Sequence, residues 1–333
     1  MIKAVYFKLL RILGQDRRML ARVRAENSLV VLNLHRISPE PNAFWAPMHP
    51  RVFEDLLLFV SEHFFVSTFA QSGANTTGRP GLVLSFDDGY ADFVEYAVPL
   101  AARYGLRLNQ NIIPTCAESG LPPWNIQLYD FLNQAPRALI NEVRLPGFDH
   151  KLEGSDAASK ARFGGALSRF LKNRPRAERA PLWSLLRPLV DQLPRSAITK
   201  MMTPAQIREV ARTHEIGAHS FEHESMEFES NEYFQQDFQR CRDYFRDVLQ
   251  LPLSVYAFPN GSHRVEQVEY LERSGIEHVL LIKNTYARPG SRRYARFITY
   301  ADSRSEARLR ATGYTRPLDV LKSWRPWSGA APT

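Results

Sequence analysis

The sequence predicts an α/β fold: a mostly parallel sheet wrapped by helices, with a mostly helical segment inserted partway along. Three observations carry that expectation. Short apolar runs rich in Val, Leu and Ile recur along the chain, each reading as a strand buried on both faces. Segments with helical apolar spacing separate them, which is the pattern of parallel strands joined by helical crossovers. Four clusters of polar residues, His35, Asp87-Asp88, His219 with His223, and Pro259-Asn260, fall where predicted strands end. In parallel α/β folds reactive groups gather at the carboxyl ends of strands.

The elements follow in order. Residues 1–27 form a leading segment, with a basic helix over 2–24 whose broad apolar side carries Ile2, Val5, Leu9, Ile12, Leu13 and Leu20. Lys8 and Arg11 interrupt the apolar run, and no small-x-small site precedes Arg17-Arg18, so an export signal is not expected. No run of about 18 apolar residues occurs, so no spanning helix is expected either. Such a helix suits a membrane interface rich in anionic lipid, or the domain's own surface. A domain over 28–315 comes next. Its predicted strands cover Ser28 to His35, Gly81 to Phe86, Leu106 to Ile113, Glu215 to His219, Ser254 to Phe258, His278 to Ile282 and Tyr294 to Tyr300. Helices are expected over 50–63, 91–104, from Thr203-Pro204 onward, and over 230–249, 265–274 and 303–313. The Ser/Gly/Asn-rich stretch 71–80 reads as a loop. Residues 124–198 change in texture, rich in Arg, Leu and Ala, and read as a helical insertion with a hairpin about Pro146-Gly147. Residues 316–333 are expected to be a tail, disordered after Trp327.

Composition narrows the class. The chain has 333 residues, 44% hydrophobic and 23% charged, enough for a sizeable core in a soluble domain. Lys and Arg outnumber Asp and Glu by 43 to 35, a net charge of +8 that suits an anionic surface. Without a Lys/Arg block or an Arg-Gly repeat, nucleic acid is not an expected partner. Cys116 and Cys241 have neither disulfide-framework nor zinc-ribbon spacing and read as reduced, packed thiols.

His219 and His223 lie four residues apart, a spacing that aims two imidazoles at one point, as a metal requires. Alone that pair is weak, since surface or capping histidines share the spacing. Asp87 and Asp88 follow an apolar strand, where two adjacent carboxylates repel and resist desolvation unless a cation offsets them. Dividing their roles resolves this: one ligates a metal beside the histidines, and the other stays free as a general base for water. The rival reading, an N-cap beside a solvated neighbour, does not account for the histidine pair. His35 is the best candidate for the acid that protonates a leaving amine, with His263 and His278 weaker. Backbone N–H groups of the turn Phe258-Pro259-Asn260-Gly261 are candidate oxyanion donors.

Ser85-Phe86-Asp87-Asp88-Gly89-Tyr90 resembles the first motif of NodB-homology polysaccharide deacetylases, carbohydrate esterase family four. Glu215 to His223 resembles the second, Gly-x-His-Ser/Thr-x-x-His, after a Thr-Pro-x-x-Ile helix start, and Tyr256-Ala-Phe-Pro-Asn-Gly261 resembles the third. The segment Val31 to Arg36 is similar to the Tyr-His-Arg stretch of exopolysaccharide deacetylases with permuted motif order. The resemblance covers roughly 28 to 315. It implies a deformed (β/α) barrel, Asp87 as base, Asp88, His219 and His223 as ligands of a divalent metal, commonly Zn2+, and His35 as acid. It also implies Tyr90, Pro259 and Asn260 on the substrate side. Three departures stand out: Asn260 replaces a Tyr, Ala257 replaces an Arg whose orienting task falls to Arg296, and Glu222 adds an unexplained charge. Trp124 is expected either to line a sugar groove or to pack in the core.

The expected activity is deacetylation of a polysaccharide or lipid-linked sugar by a cytoplasmic protein, with peripheral contact at the inner membrane face through residues 2–24. A deformylase or other amidase, and a catalytically silent glycan-binding relative, are the rivals. Retention of Asp87, Asp88, His219 and His223 argues against the silent relative.

Overall fold

A computed structural model describes residues 2–154, 156–172 and 174–315. The expected tail at 316–333 lies outside the described residues. Among the described residues eight strands form one sheet, and every pairing between them is parallel. In chain order they are β1 (Leu29–Leu34), β2 (Phe65–Val66), β3 (Gly81–Phe86), β4 (Asn109–Ile112), β5 (Glu215–Ala218), β6 (Val255–Ala257), β7 (His278–Ile282) and β8 (Arg293–Ile298). The sheet closes because β1 pairs with both β3 and β8, giving a seven-strand ring. The two-residue β2, absent from the sequence reading, pairs with the first half of β3 on the edge whose second half takes β4. That shared edge deforms the barrel. The expected (β/α) barrel is the observed one.

Period-two alternation explains how the barrel makes a site. Val30, Leu32 and Leu34 of β1 face outward and join the main core under the helices, while Leu29 and Val31 join a smaller interior cluster with Val83, Val255, Leu280 and Tyr294. Along the same inward faces the residues then turn polar: Val31 gives way to Asn33, Val83 to Ser85 and Asp87, Tyr294 to Arg296. The amino half of the barrel is thus filled with apolar side chains and the carboxyl half with hydrogen-bonding ones. Burying each inward Val or Leu contributes about 1.5–3 kcal/mol, which offsets the desolvation of the polar layer above.

Three sequence expectations change. The single helix over 2–24 is two, Ile2–Ile12 and Gln15–Ala25, because Gly14 takes a left-handed φ of 75° that a side chain would resist. The hairpin about Pro146-Gly147 reduces to one bridge, Leu145 with Phe148, beside the short helix Arg137–Ile140. The helix over 91–104 begins as a wider π-type turn, Phe93–Ala97, before Val98–Ala102. The inserted segment is helical and carries its own apolar cluster, built on Leu128, Phe131, Leu132, Leu167, Leu171 and Leu186. Its long helices are Trp124–Gln134, Ala157–Lys172 and Arg176–Val190. No helix among the described residues is long and apolar enough to cross a membrane.

Candidate active site

The site begins where β3 ends. Asp88 and Gly89 both adopt left-handed backbone, φ 77° and 83°, which folds the chain back at once and turns the two carboxylates into one cleft. A side chain at Gly89 would also meet Ile112 Cγ2 at 3.2 Å, so the turn needs a glycine on two counts. Outside glycine this conformation costs about 1–2 kcal/mol, and Asp tolerates it better than most residues. His223 sits in the same region at φ 61°. Two of the candidate ligands therefore hold strained backbone, a recurrent property of functional sites.

Asp87 and Asp88 have opposite surroundings. Asp87 Oδ2 accepts from Asn33 Nδ2 at 2.7 Å, and Oδ1 accepts from Asn111 Nδ2 and Arg296 Nη1, both at 2.8 Å. Burial pushes this carboxyl upward, but the Arg296 guanidinium and His219 outweigh it and hold Asp87 well below the usual carboxylate range. Asp88 Oδ2 accepts from the Tyr90 hydroxyl at 2.7 Å, while its buried Oδ1 receives no hydrogen bond. That orphan oxygen lies 3.5 Å from His219 Nε2 and 3.3 Å from His223 Nε2. Burial also raises Asp88, yet the close His223 imidazole, with lesser contributions from His35 and His219, brings it below its ordinary value.

His219 Nδ1 donates to the Ala257 carbonyl at 2.9 Å, which leaves a lone pair on Nε2. Burial, against the pull of the two aspartates, pushes His219 down to about 4, so its ring is neutral at neutral pH. Asp88, His219 and His223 each offer one donor atom, all within 4.8 Å of one another. Donors about 2.0–2.1 Å from a tetrahedral centre stand roughly 3.3 Å apart, close to the two Asp88–imidazole separations. A carboxylate oxygen with no hydrogen-bond donor, faced by two imidazole nitrogens, fits a divalent cation.

The cleft above holds about 420 Å3. His35 lines it from the end of β1, its ring edge-on to Trp45 at 5.1 Å, and Asn260 lines it from the turn after β6. That turn uses the Gly261 and Ser262 amides internally, on the carbonyls of Phe258 and Pro259, so Asn260 N–H is its one candidate oxyanion donor. Asn260 stands at φ 57° and its side chain donates to Ser225 Oγ at 2.9 Å. The inserted helices roof the cleft with Asn125, Ile126, Tyr129 and Lys172. Burial pushes Lys172 down to about 8, against the pull of Asp88.

Several residues picked from the sequence stand elsewhere. Tyr90 is fully buried beneath Arg36, donates to Asp88 Oδ2 and does not line the cleft. Pro259 is buried behind the turn and shapes it. Trp124 packs edge-on to Trp183 with the Arg179 guanidinium over its ring at 4.9 Å; Trp45 and Tyr129 wall the cleft in its place. Glu222 gains an explanation, since it points away from the histidines to Arg176 at 2.6 Å and Arg240 at 2.9 Å. His278 packs on Phe69 and Tyr294 in the barrel interior. Arg296 stands where it can orient Asp87. The sequence reading missed Asn33 and Asn111, although each is a polar residue in an otherwise buried strand, a pattern that marks inward-facing chemistry. It also missed Trp45 and Lys172, for which no local signal exists.

Residues 187–279 match the family model described as polysaccharide deacetylase, a span that includes His219, His223 and the turn after β6. No curated protein matches the sequence. Among solved structures, the chain is similar to the deacetylase PplD of Streptococcus pyogenes in complex with acetate, at 15% identity and a TM-score of 0.55, covering 86% of this chain and 98% of that one. IcaB from Ammonifex degensii gives 15%, 0.53, 86% and 97% in the same order. BC0361, a polysaccharide deacetylase from Bacillus cereus, gives 10%, 0.53, 86% and 69%. At these identities the likeness shows the fold, the deformed barrel described above.

Proposed function

We propose, from the polysaccharide deacetylase model that residues 187–279 match and from the barrel fold, that the chain hydrolyses the carbon–nitrogen bond of an acetamido group on a sugar, in a glycan or a lipid-linked sugar, with a divalent metal held by Asp88, His219 and His223. The observation that carries this reading is the unpaired Asp88 Oδ1 facing two imidazole nitrogens, beside a second carboxylate held by three donors. A cation held there, with zinc the first choice for this donor set, would supply Lewis acidity and would lower the pKa of a water bound to it to about 7.

The chain's own groups do the rest. Asp87 is fixed by Asn33, Asn111 and Arg296, stays ionised, and takes the proton of the attacking water on Oδ2, which lies 3.9 Å from His219 Nε2. The Asn260 N–H offers a hydrogen bond to the developing oxyanion. His35, across the cleft, gives a proton to the departing amine. Trp45 and Tyr129 present apolar faces to the pyranose, and the inserted helices limit water access.

The test is acetate release from N-acetylhexosamine oligomers and lipid-linked acetamido sugars by metal-stripped protein reloaded with zinc, cobalt or nickel. Acetate should appear only after reloading. Formate in place of acetate would move the assignment to a deformylase, and no release with any metal or substrate would sink it.

A further inference from the structure

The first helix, Ile2–Ile12, is held to the barrel by one side only. Phe7 is fully buried, and Lys3 Nζ pairs with Asp302 at 3.1 Å and Glu306 at 2.8 Å. On the other side Val5, Leu9, Ile12 and Leu13 are 53%, 54%, 66% and 67% exposed. Spaced i, i+4, i+7 and i+8, they form one stripe rather than scattered apolar residues. Folding does not bury them, and a contiguous apolar stripe in water marks a docking surface.

A second observation lies at the foot of that stripe. Where Gly14 bends the chain into Gln15–Ala25, a groove of about 490 Å3 opens against Phe59 and His63. Arg11, Arg17 and Arg308 line it with one carboxylate, Asp16, whose Oδ1 is occupied by the Arg17 backbone N–H at 3.0 Å. Arg308 lies over the Phe59 ring at 5.3 Å, and its buried Nε has no hydrogen-bond partner. Outside the groove Lys8 and Arg18 add exposed positive charge, and Glu62 is the nearby acid. Three guanidinium groups around one carboxylate, continuous with an exposed apolar stripe, are complementary to a phosphodiester attached to acyl chains.

We propose that this corner docks on an anionic phospholipid bilayer: the Val5–Leu9–Ile12–Leu13 stripe enters the boundary between headgroups and acyl chains, and the groove of Arg11, Arg17 and Arg308 takes a lipid phosphate. The geometry is that of an interfacial helix lying in the membrane plane. It stands apart from the cleft and does not rest on the reaction assigned there.

Sedimentation of the full chain with vesicles tests it, using phosphatidylglycerol mixed with phosphatidylcholine against phosphatidylcholine alone. The expected result is partition at least about tenfold stronger onto the anionic vesicles, weakening as salt rises. The paired substitution Leu9→Glu and Ile12→Glu should abolish it. Arg308→Gln should reduce the anionic preference roughly three- to tenfold while leaving the melting temperature within a few degrees. Equal partition onto both vesicle types, or none, overturns the proposal. So does inorganic phosphate binding at the groove without vesicle binding, which would make it a site for a free anion. A wild-type dimer in light scattering that Leu9→Glu with Ile12→Glu splits into monomers also overturns it, because a second copy would then cover the stripe.

Discussion

Asp87 and Asp88 are chemically identical neighbours that the fold makes unlike. Asp87 faces three donors, one of them the fixed cation Arg296, so its negative charge is compensated within the protein. Asp88 keeps one oxygen with no partner, so its charge asks for a cation from outside. Asp87→Asn should therefore retain stoichiometric zinc by atomic absorption while turnover falls by about 10³ or more, because only the base is lost. His223→Ala should instead lose metal first. Arg296 is fully buried and its Nη1 holds Asp87. In Arg296→Gln, burial acts on Asp87 without its largest opposing charge, so the carboxyl pKa rises and the acidic limb of kcat/KM moves to higher pH. Breaking such a buried pair from one side costs about 3–5 kcal/mol, readable in urea unfolding. An unmoved acidic limb in a folded Arg296→Gln protein would show that Arg296 does not act through Asp87.

At the scale of elements, the ligand loop after β5 is clamped between the inserted helices and the helix Asn231–Tyr244. Arg179 and Glu224 form an ion pair in which both side chains are almost fully buried, one residue beyond His223. Arg176 adds Glu222 and, through its backbone N–H, Glu229 at 2.6 Å. Removing Arg179 as Ala leaves Glu224 buried and uncompensated, so stability should fall by about 3 kcal/mol and KM should rise as the roof loosens. Unchanged KM in a stably folded variant would separate the roof from substrate binding. On the opposite side Asp237 accepts the Phe221 N–H at 2.9 Å, and burial pushes its carboxyl up to about 7 despite that bond. A folded pKa above the unfolded one means the stability it contributes is present at low pH and lost as pH rises from about 4 to 7. Asp237→Asn should therefore become more stable relative to wild type between pH 5 and pH 8, on the order of 2 kcal/mol. Parallel melting curves at the two pH values, with no relative change, would remove Asp237 from the account.

Across the whole molecule, ligands from the ends of β3 and β5, far apart in the chain, meet only once the sheet has assembled around β4. A metal bound to all three therefore favours the folded state over the unfolded chain by about 2.7 kcal/mol at a hundredfold excess over its Kd. Chelation should lower the melting temperature by several degrees and readdition of zinc should restore it. A chelator-insensitive melt would mean that the cluster holds no metal in solution. Closure of the ring completes the polar interior. Asn111 reaches Ser85 and Asp87 from the adjoining strand β4, whereas the bonds of Arg296 on β8 to Ser85 and Asp87 cross the ring and form only when β1 seals β3 to β8.

Much of this was legible in the order of residues. Apolar runs alternating with helical spacing are local consequences of the 2.0 and 3.6 periods, so most strands, the parallel α/β class and the helical insertion could be read along the chain, while the barrel was implied only by the motif resemblance. So could Asp87-Asp88 at one strand end and His219 with His223 at another, because the unfavourable pairing of two carboxylates after a buried strand signals itself. Contacts across the ring could not. That Asn33 and Asn111 hold Asp87, that Trp45 and not Trp124 walls the cleft, that Tyr90 serves a neighbouring carboxylate, and that Glu222 clamps a helix were decided by closure and by where the insertion lands. Those outcomes depend on distances between residues far apart in the chain, and periodicity carries no information about such distances.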